Sequence, residues 1–515
     1  MIILYHNNYK ITEVTSTEIG SFPNEINRNV VSVLLDLAHN YTNEILVWCH
    51  ESERQNLNSA EIETLFHHKK ILVSYNPAIS SYLGRLVGYI EDTPYIKINK
   101  EVKYATWQMS SNVGAVHASV LNACKNDVKS ETNFDYFLNS FARRAMIHGL
   151  FCYSEPKLLL QISMSNRTEK SNLFEFFKFT KQHYRIRWIL VLFFNLGFYE
   201  KRFPVVPLVF SLLYQRRKLN PELLNRVPLE SNKKMSSEGT IDVLIPTIGR
   251  RDYLLDVLNN LASQTHCPMS VILIEQNQDK NSQSELEFIK SKKWPFVIKH
   301  HFTHQTGACN ARNIGLSMLE SEFVFLADDD IVFENDLLEN ALKTFQSTGN
   351  EAFLVACLLK TQTVIPQLPK QFAVFGAGHA FVKVSTIENL RFNMGYEFGF
   401  GEDNDFGMQL RNQGFDILYT STSVITHLKA PVGGFRTKPV LRWQNDPIQP
   451  KPSPTVMLFR LLYDTDEQLL NYKTTIFFKN LNKNFFKNPL QYIKIFKKRW
   501  NKSVYWATEL KKQQV

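Results

Sequence analysis

The sequence predicts an α/β protein of two or three domains, and three observations carry that prediction. The chain has 515 residues, more than the roughly 100 to 200 of an ordinary single domain. Short β-branched runs alternate with stretches of helical period in both halves. Between the halves, Ser231-Asn-Lys-Lys-Met-Ser-Ser-Glu-Gly-Thr240 is small, polar and charged, the composition of an exposed linker, so a domain boundary belongs there.

Composition narrows the class. Apolar residues make up 44% of the chain and charged residues 21%, ordinary globular usage that excludes long-range disorder. The net charge of +10 favours an anionic partner: nucleic acid, a phospholipid surface or a phosphorylated small molecule. No nucleic-acid reader motif occurs and the basic residues concentrate in the terminal helical stretches, so nucleic acid is not expected. The six cysteines (Cys49, Cys124, Cys152, Cys267, Cys309, Cys357) include no Cys-x-x-Cys pair and no zinc spacing, which suits a reducing compartment. The N-terminal apolar run is too short for a signal-peptide core and has no basic leader. The longest uncharged apolar stretches, Trp188 to Tyr199 and Phe203 to Gln215, fall well below the roughly 20 residues that cross a bilayer, so no transmembrane helix is expected.

The elements follow in order. Residues 1–165 alternate strand signals, such as Glu44 to Trp48 and Lys70 to Ser74, with helical ones such as Val30 to Ala38, and read as an N-terminal α/β domain. Residues 166–235 are helical in period and rich in Phe, Leu, Lys and Arg, and read as a connector plus linker. After it, Ile241 to Ile245 is a buried-strand signal ended by Pro246, and Ser270 to Ile274 is a second strand ending at Glu275. A helix carrying Ala311, Ile314 and Leu316 precedes the strand Phe323 to Leu326, which runs into Asp328-Asp329-Asp330. Strand, helix, strand in succession predicts a parallel sheet whose loops gather at the strand C-terminal ends, where α/β ligands bind. Residues 437–515 form a basic, aromatic helical tail: from Asn471 to Val515 there are eleven Lys or Arg and one acid, Glu509. Such a helix can lie on an anionic membrane surface, and a solvated face on a packing helix accounts for it equally.

Three carboxylates directly after a buried strand are costly together unless a cation sits between them. Oxygen ligands suit Mg²⁺ or Mn²⁺, which keep substrate phosphates in their coordination sphere. An acidic turn capping the next helix is the plainer explanation. The triplet has company, however. Further along, Gly399-Phe-Gly-Glu402-Asp403-Asn-Asp405 places a glycine-flanked carboxylate cluster at a helix start. The helix dipole favours acids there, while the glycines allow close approach to a ligand.

Together, Ile245-Pro246-Thr247, Glu275, Gly307 to Gly315, the triplet, the Gly-Glu-Asp-Asn-Asp stretch and His427 resemble family 2 glycosyltransferases of the GT-A fold, and the Phe-Gly-Phe-Gly-Glu-Asp-Asn-Asp wording is similar to β-1,4-galactosyltransferases. The resemblance runs from Thr240 to Arg436. It implies a GT-A-type mixed, mainly parallel sheet flanked by helices over residues 240–436. It also implies an inverting, metal-dependent hexosyl transfer from a nucleotide sugar, UDP-linked, to an acceptor hydroxyl in polysaccharide or glycolipid biosynthesis. Pro246 and Thr247 would line the nucleotide pocket and Glu275 would meet the base or ribose, where the family more often has Asp. Arg312, in the Ala-Arg-Asn segment with Asn313, Asp328 and Asp329 would lie at the donor. Asp330 and His427 would ligate Mn²⁺ or Mg²⁺. Asp403 would be the catalytic base and Glu402 would bind acceptor hydroxyls, with Asp405 supporting the helix start. Gly376-Ala-Gly-His379 would shape the donor-sugar pocket, or simply make a turn. The acceptor would be a glycan or lipid-linked glycan, and the location cytoplasmic, with the tail as the route to the inner face of the cell membrane.

The N-terminal domain echoes the same cadence. Aligning Gly149 with Gly414 lays Phe137 to Ser140 opposite Glu402 to Asp405, without carboxylates, which reads as a non-catalytic GT-A-like repeat or as an unrelated α/β domain. A nucleotidyltransferase also uses carboxylate-bound metal, but Thr247-Ile-Gly-Arg-Arg251 has a single glycine where such enzymes carry a Gly-rich basic loop. A non-catalytic nucleotide-sugar-binding scaffold is the remaining alternative.

Overall fold

Runs such as Ser270 to Gln276 and Phe323 to Ala327 are apolar on both faces, which suits strands covered on both sides, and in the structure every residue of each is buried. The computed structural model describes all residues except 17, 19, 79, 129–130, 162–169, 366, 432–439, 482–487 and 513–515. The chain divides into two units, residues 1–232 with 464–480 and residues 233–463 with 481–515. This differs from the four segments expected. The connector helices belong to the first unit, and the tail is divided, because its helix Asp466–Lys479 packs in the first unit while Pro489–Lys511 packs in the second. The buried residues Trp500, Ser503, Ala507 and Leu510 seat that last helix, while Leu490, Ile495 and Tyr505 on it stay exposed. The C-terminal end expected for the transferase domain, Arg436, lies outside the described residues.

The second unit is built on β9 (Ile241–Thr247), β10 (Ser270–Gln276), β11 (Val297–Thr303), β12 (Phe323–Ala327), β13 (Ile331–Phe333), β14 (Ala352–Leu359), β15 (Lys370–Gln371), β16 (His379–Lys383) and β17 (Leu418–His427). Their order is β11-β10-β9-β12-β16-β14-β17-β13, with β15 on β17. The first four are parallel, β16 runs antiparallel between β12 and β14, and β17 returns parallel to β14. The sheet is therefore the mixed one expected, with the parallel run on one side. Because β9, β10 and β12 point the same way, Thr247, Glu275 and the acidic triplet emerge at one edge. Gly315, in the helix Ala308–Leu316, lets that helix press onto the sheet, since a Cβ there would lie 2.0 Å from Leu244 Cδ1.

The first unit carries β1 (Ile2–His6), β2 (Ile11–Ser16), β3 (Gly20–Ser21), β4 (Ile45–His50), β5 (Ile71–Tyr75), β6 (Tyr104–Ala105), β7 (Val113–His117) and β8 (Phe151–Ser154), in the order β3-β2-β1-β4-β7-β5-β8-β6. Here β1 and β4 are parallel, β7 is antiparallel to both β4 and β5, and β8 is parallel to β5 with β6 antiparallel at the edge. Gly114, in the middle of β7, has the Trp48 ring and the Val73 carbonyl where a Cβ would stand, at 2.3 and 2.5 Å. Gly114→Ala is expected to destabilise this unit by about 1–3 kcal/mol, the usual cost of overpacking a filled core, read as a lower urea midpoint with unchanged slope.

Candidate active site

The strand ends of the second unit bring three ligating groups together: one atom each from Asp328, Asp330 and His427, all within 4.8 Å of one another. Asp330 lies between β12 and β13, directly before β13, and is 1% exposed. Its Oδ2 accepts the Ala430 amide at 2.7 Å, while its Oδ1 is buried without a hydrogen-bond partner, 3.2 Å from His427 Nε2. A buried carboxylate oxygen left unsatisfied beside an imidazole nitrogen and a second carboxylate fits a divalent cation with oxygen and nitrogen ligands. Against the upward push of burial, the His427 contact, the Ala430 amide and Arg250 hold Asp330 below the usual carboxylate value. Contact with the Asp330 carboxylate in turn raises His427, overcoming burial. His427 stands at the end of β17 because that strand pairs antiparallel with β13, setting Ile331 opposite His427.

The middle carboxylate has a different task. Asp329 points inward, accepting the Thr247 hydroxyl at 2.7 Å and Arg250 Nη1 at 2.6 Å, and burial pushes its pKa up to about 6 against those two donors. Both oxygens are taken up by the protein, so Asp329 and Thr247 act here as positioning groups that tie β9 to the triplet. Arg250 also approaches Asp330 Oδ2 at 3.4 Å. The sequence held no distinguishing sign for Arg250, one of two adjacent arginines in a turn.

Asp403 is the second residue of the helix Glu402–Asn412, which follows Gly401 at φ +118°. Its carboxylate accepts the Ala377 amide and lies 3.4 Å from Arg312 Nη1, while 30% of the side chain stays exposed. Arg312 is buried, its other nitrogen 3.7 Å from Asp328 and its guanidinium 5.3 Å from the Phe392 ring centroid. One guanidinium thus spans the gap between the Asp328, Asp330 and His427 cluster and Asp403. Burial raises the pKa of Asp403, and Arg312 opposes that rise. Burial and the adjacent Asp403 push Glu402 up to about 7.

Two further groups complete the site. Glu397 lies across the start of the helix Ala308–Leu316 and accepts the amides of Cys309 and Asn310 at 3.2 and 2.9 Å, satisfying the free N–H groups of the helix that carries Arg312. Gly307, at φ +140°, leaves the space that this carboxylate fills. Glu397 was invisible in the sequence because the helix it caps lies far from it along the chain. Gly378 is glycine for a reason of contact: a Cβ would stand 2.2 Å from the Asp328 carboxylate. His379 beside it is half-buried, with Nδ1 2.6 Å from the Val355 carbonyl.

The remaining expected residues are less engaged. Glu275 pairs in register with Thr247 at the same edge, but its carboxylate already accepts the Ser284 hydroxyl and Glu285 amide at 2.6 and 2.7 Å and sits 2.9 Å from His300 Nε2. Pro246 is the penultimate residue of β9 and half-buried. Asp405 is fully buried, bonded to Tyr463 and Gln409, and packs the helix in place.

The α/β sheet thus gathers a carboxylate–imidazole cluster at its strand ends, with a second carboxylate on a helix start nearby, the position where α/β proteins bind ligands. Residues 242–392 match the family model described as Glycosyl transferase family 2, and the enzyme class this match supports is a glycosyltransferase. An uncharacterised glycosyltransferase of Rickettsia bellii is 25% identical over 121 residues, 24% of this chain and 17% of that protein. The minor teichoic acid biosynthesis protein GgaB of Bacillus subtilis is 31% identical over 118 residues, 22% of this chain and 13% of that protein. The chain thus spans less than a fifth of the length of either. Among solved structures, S. aureus TarS 1-349 in complex with UDP-GlcNAc covers 46% of this chain and 70% of its own, at 16% identity and a TM-score of 0.35.

Proposed function

We propose that this chain is an inverting, divalent-metal-dependent glycosyltransferase that moves a sugar from a nucleotide sugar, UDP-linked, to a hydroxyl of a glycan or lipid-linked glycan in polysaccharide biosynthesis. The observation that carries this reading is the pairing of the Asp328, Asp330 and His427 cluster with Asp403 through Arg312. Asp328, Asp330 and His427 would hold Mn²⁺ or Mg²⁺, which when bound neutralises the charge growing on the departing diphosphate. Asp403 takes the acceptor proton as the acceptor oxygen attacks the anomeric carbon from the side opposite the leaving group, so the centre inverts. Burial raises the pKa of Asp403, which strengthens it as a base, and Arg312 opposes that rise. Glu402, beside it at the open end of the helix, faces the acceptor. Thr247, Asp329 and Arg250 fix the triplet against β9. The test is calorimetric titration of the full chain with UDP and GDP, with and without Mn²⁺. UDP binding that requires the metal is expected, and no metal-dependent nucleotide binding would defeat the reading.

The pH dependence follows from the same charges. Asp403 must be ionised to act, and its pKa is raised, so kcat/KM falls on the acid side at a pH above the ordinary carboxylate range. Arg312 favours the charged form, so Arg312→Gln raises that pKa further and moves the acid limb to higher pH. A pH–rate profile of the variant with an unmoved or lowered acid limb would remove Asp403 as the titrating base.

The first unit supports a companion proposal, a degenerate copy of the second without the metal site. β1, β4, β7, β5, β8 and β6 repeat the order and directions of β9, β12, β16, β14, β17 and β13. Asp135, second in the helix Phe134–Ala145, accepts the Ser111 amide at 2.9 Å, as Asp403 accepts that of Ala377. Each donor lies two residues before the antiparallel central strand. Matching from the closing glycines set Leu138 opposite Asp403, but the helical segment of the first unit begins three residues earlier relative to its glycine, so Asp135 takes that place. The cluster of Asp328, Asp330 and His427 has no counterpart there among the described residues.

A further inference from the structure

The two uncharged runs, Trp188 to Tyr199 and Phe203 to Gln215, have no part in the transferase site. In the structure they form the helices Arg187–Glu200 and Val205–Ser211 with the turn after the second. The second helix is inverted for a soluble protein: Ser211 is its buried residue, while Val206 and Phe210 are 56% and 52% exposed. Flanking it, Phe203 is 68% exposed and Leu213 78%. Leu190 and Phe198 extend the apolar surface on the preceding helix. Contiguous apolar area on this scale marks an interaction site on a soluble chain. No helix among the described residues is long and apolar enough to cross a membrane.

The charges around this surface are predominantly basic. Residues 185–218 hold seven Lys or Arg and one acid, Glu200, which is already paired with Arg85. No charged residue falls between Phe203 and Gln215, and directly after them Arg216, Arg217 and Lys218 enter a cavity of about 460 Å³ shared with Arg143, Arg144 and His183. Arg143 pairs with Glu91 and Arg217 with Glu131. Arg144 bonds the backbone carbonyls of Ser140, Asp127 and Lys218, which fixes it without neutralising it. Arg216 and Lys218 have no acidic partner among the described residues. Both ring nitrogens of His183 are buried without a hydrogen-bond partner. Two helix C-termini, those of Phe134–Ala145 and Leu173–His183, favour a cation each, which does not account for five.

We propose that this surface docks on an anionic phospholipid bilayer, with the apolar side chains at the acyl boundary and the basic cavity holding a lipid phosphate. Apolar residues rimmed by Lys and Arg bind an anionic membrane surface through both effects at once. Guanidinium groups pair with phosphate oxygens two at a time. A second copy of this chain is the poorer occupant, because a two-fold interface would set the seven basic residues against seven more. The docking is independent of the transferase reading.

The test is co-sedimentation of the full chain with vesicles of phosphatidylcholine, with and without phosphatidylglycerol, in EDTA. Binding to the anionic vesicles that weakens with salt is expected. Val206→Glu with Leu213→Glu should cut the partition coefficient at least about tenfold, and Arg216→Glu with Lys218→Glu should do so on anionic vesicles alone. All four positions are exposed, so the fold, checked by circular dichroism and by an unchanged urea unfolding midpoint, should be unchanged. Absence of vesicle binding, or binding untouched by both pairs but lost in Lys497→Glu with Lys498→Glu on the terminal helix, would overturn the proposal. A concentration-dependent dimer abolished by Leu213→Glu, without vesicle binding, would overturn it in favour of a second copy.

Discussion

Asp403→Asn is expected to lower kcat for sugar transfer by about 10²- to 10⁴-fold, the range a positioned general base contributes. The substitution keeps the shape and the Ala377 hydrogen bond but removes the charge and the capacity to take a proton. Metal-dependent nucleotide binding should persist in the variant, because Asp403 belongs to the acceptor side of the Arg312 bridge. The loss should therefore fall on kcat with little change in donor affinity. A variant that retained full transfer rates in a direct product assay would place the base elsewhere.

The second large effect is at the other end of that bridge. Asp330→Asn removes the most buried charge of the Asp328, Asp330 and His427 cluster, and with it the anchor of His427. Loss of a group that merely supports a metal ligand costs about 10- to 100-fold in affinity, so loss of a ligand should exceed about 100-fold in metal-dependent UDP binding. Asp329→Asn provides the contrast. Asp329 is buried between Thr247 and Arg250, away from the ligating atoms, so its variant should lose thermal stability before it loses metal dependence. Titration calorimetry with Mn²⁺ and UDP separates the two, and equal metal-dependent binding by wild type and Asp330→Asn would remove Asp330 from the ligand set.

What could be read in the sequence was what depends on neighbours along the chain. Continuous apolar runs specify strands buried on both faces, and a run of carboxylates after one of them, with glycines before another acidic group, specifies where chemistry concentrates. These features singled out Asp328, Asp330 and Asp403 as candidates, and the family resemblance added Arg312; the uncharged runs at Trp188 and Phe203 are too short to span a bilayer, and no helix among the described residues is long and apolar enough to cross one. The division of labour within the triplet was not legible. Asp328, Asp329 and Asp330 are identical residues in one turn, and only the positions of Thr247, Arg250 and Ala430 turn the middle one inward and leave one oxygen of the last unsatisfied. Glu397 escaped notice for the same reason, since it caps a helix remote from it in sequence. The match between the two units could be suspected from a glycine and a helix, but the sequence alignment slipped by three residues. Register is fixed by hydrogen bonds to the loop before the central strand, Ser111 to Asp135 and Ala377 to Asp403. The sequence by itself determined which strands are buried and which residue types are available for chemistry, because burial in the sheets follows hydrophobic pattern. The tertiary structure alone decided which charges meet, because electrostatic pairing depends on distances of a few ångströms between strands and helices far apart in the chain.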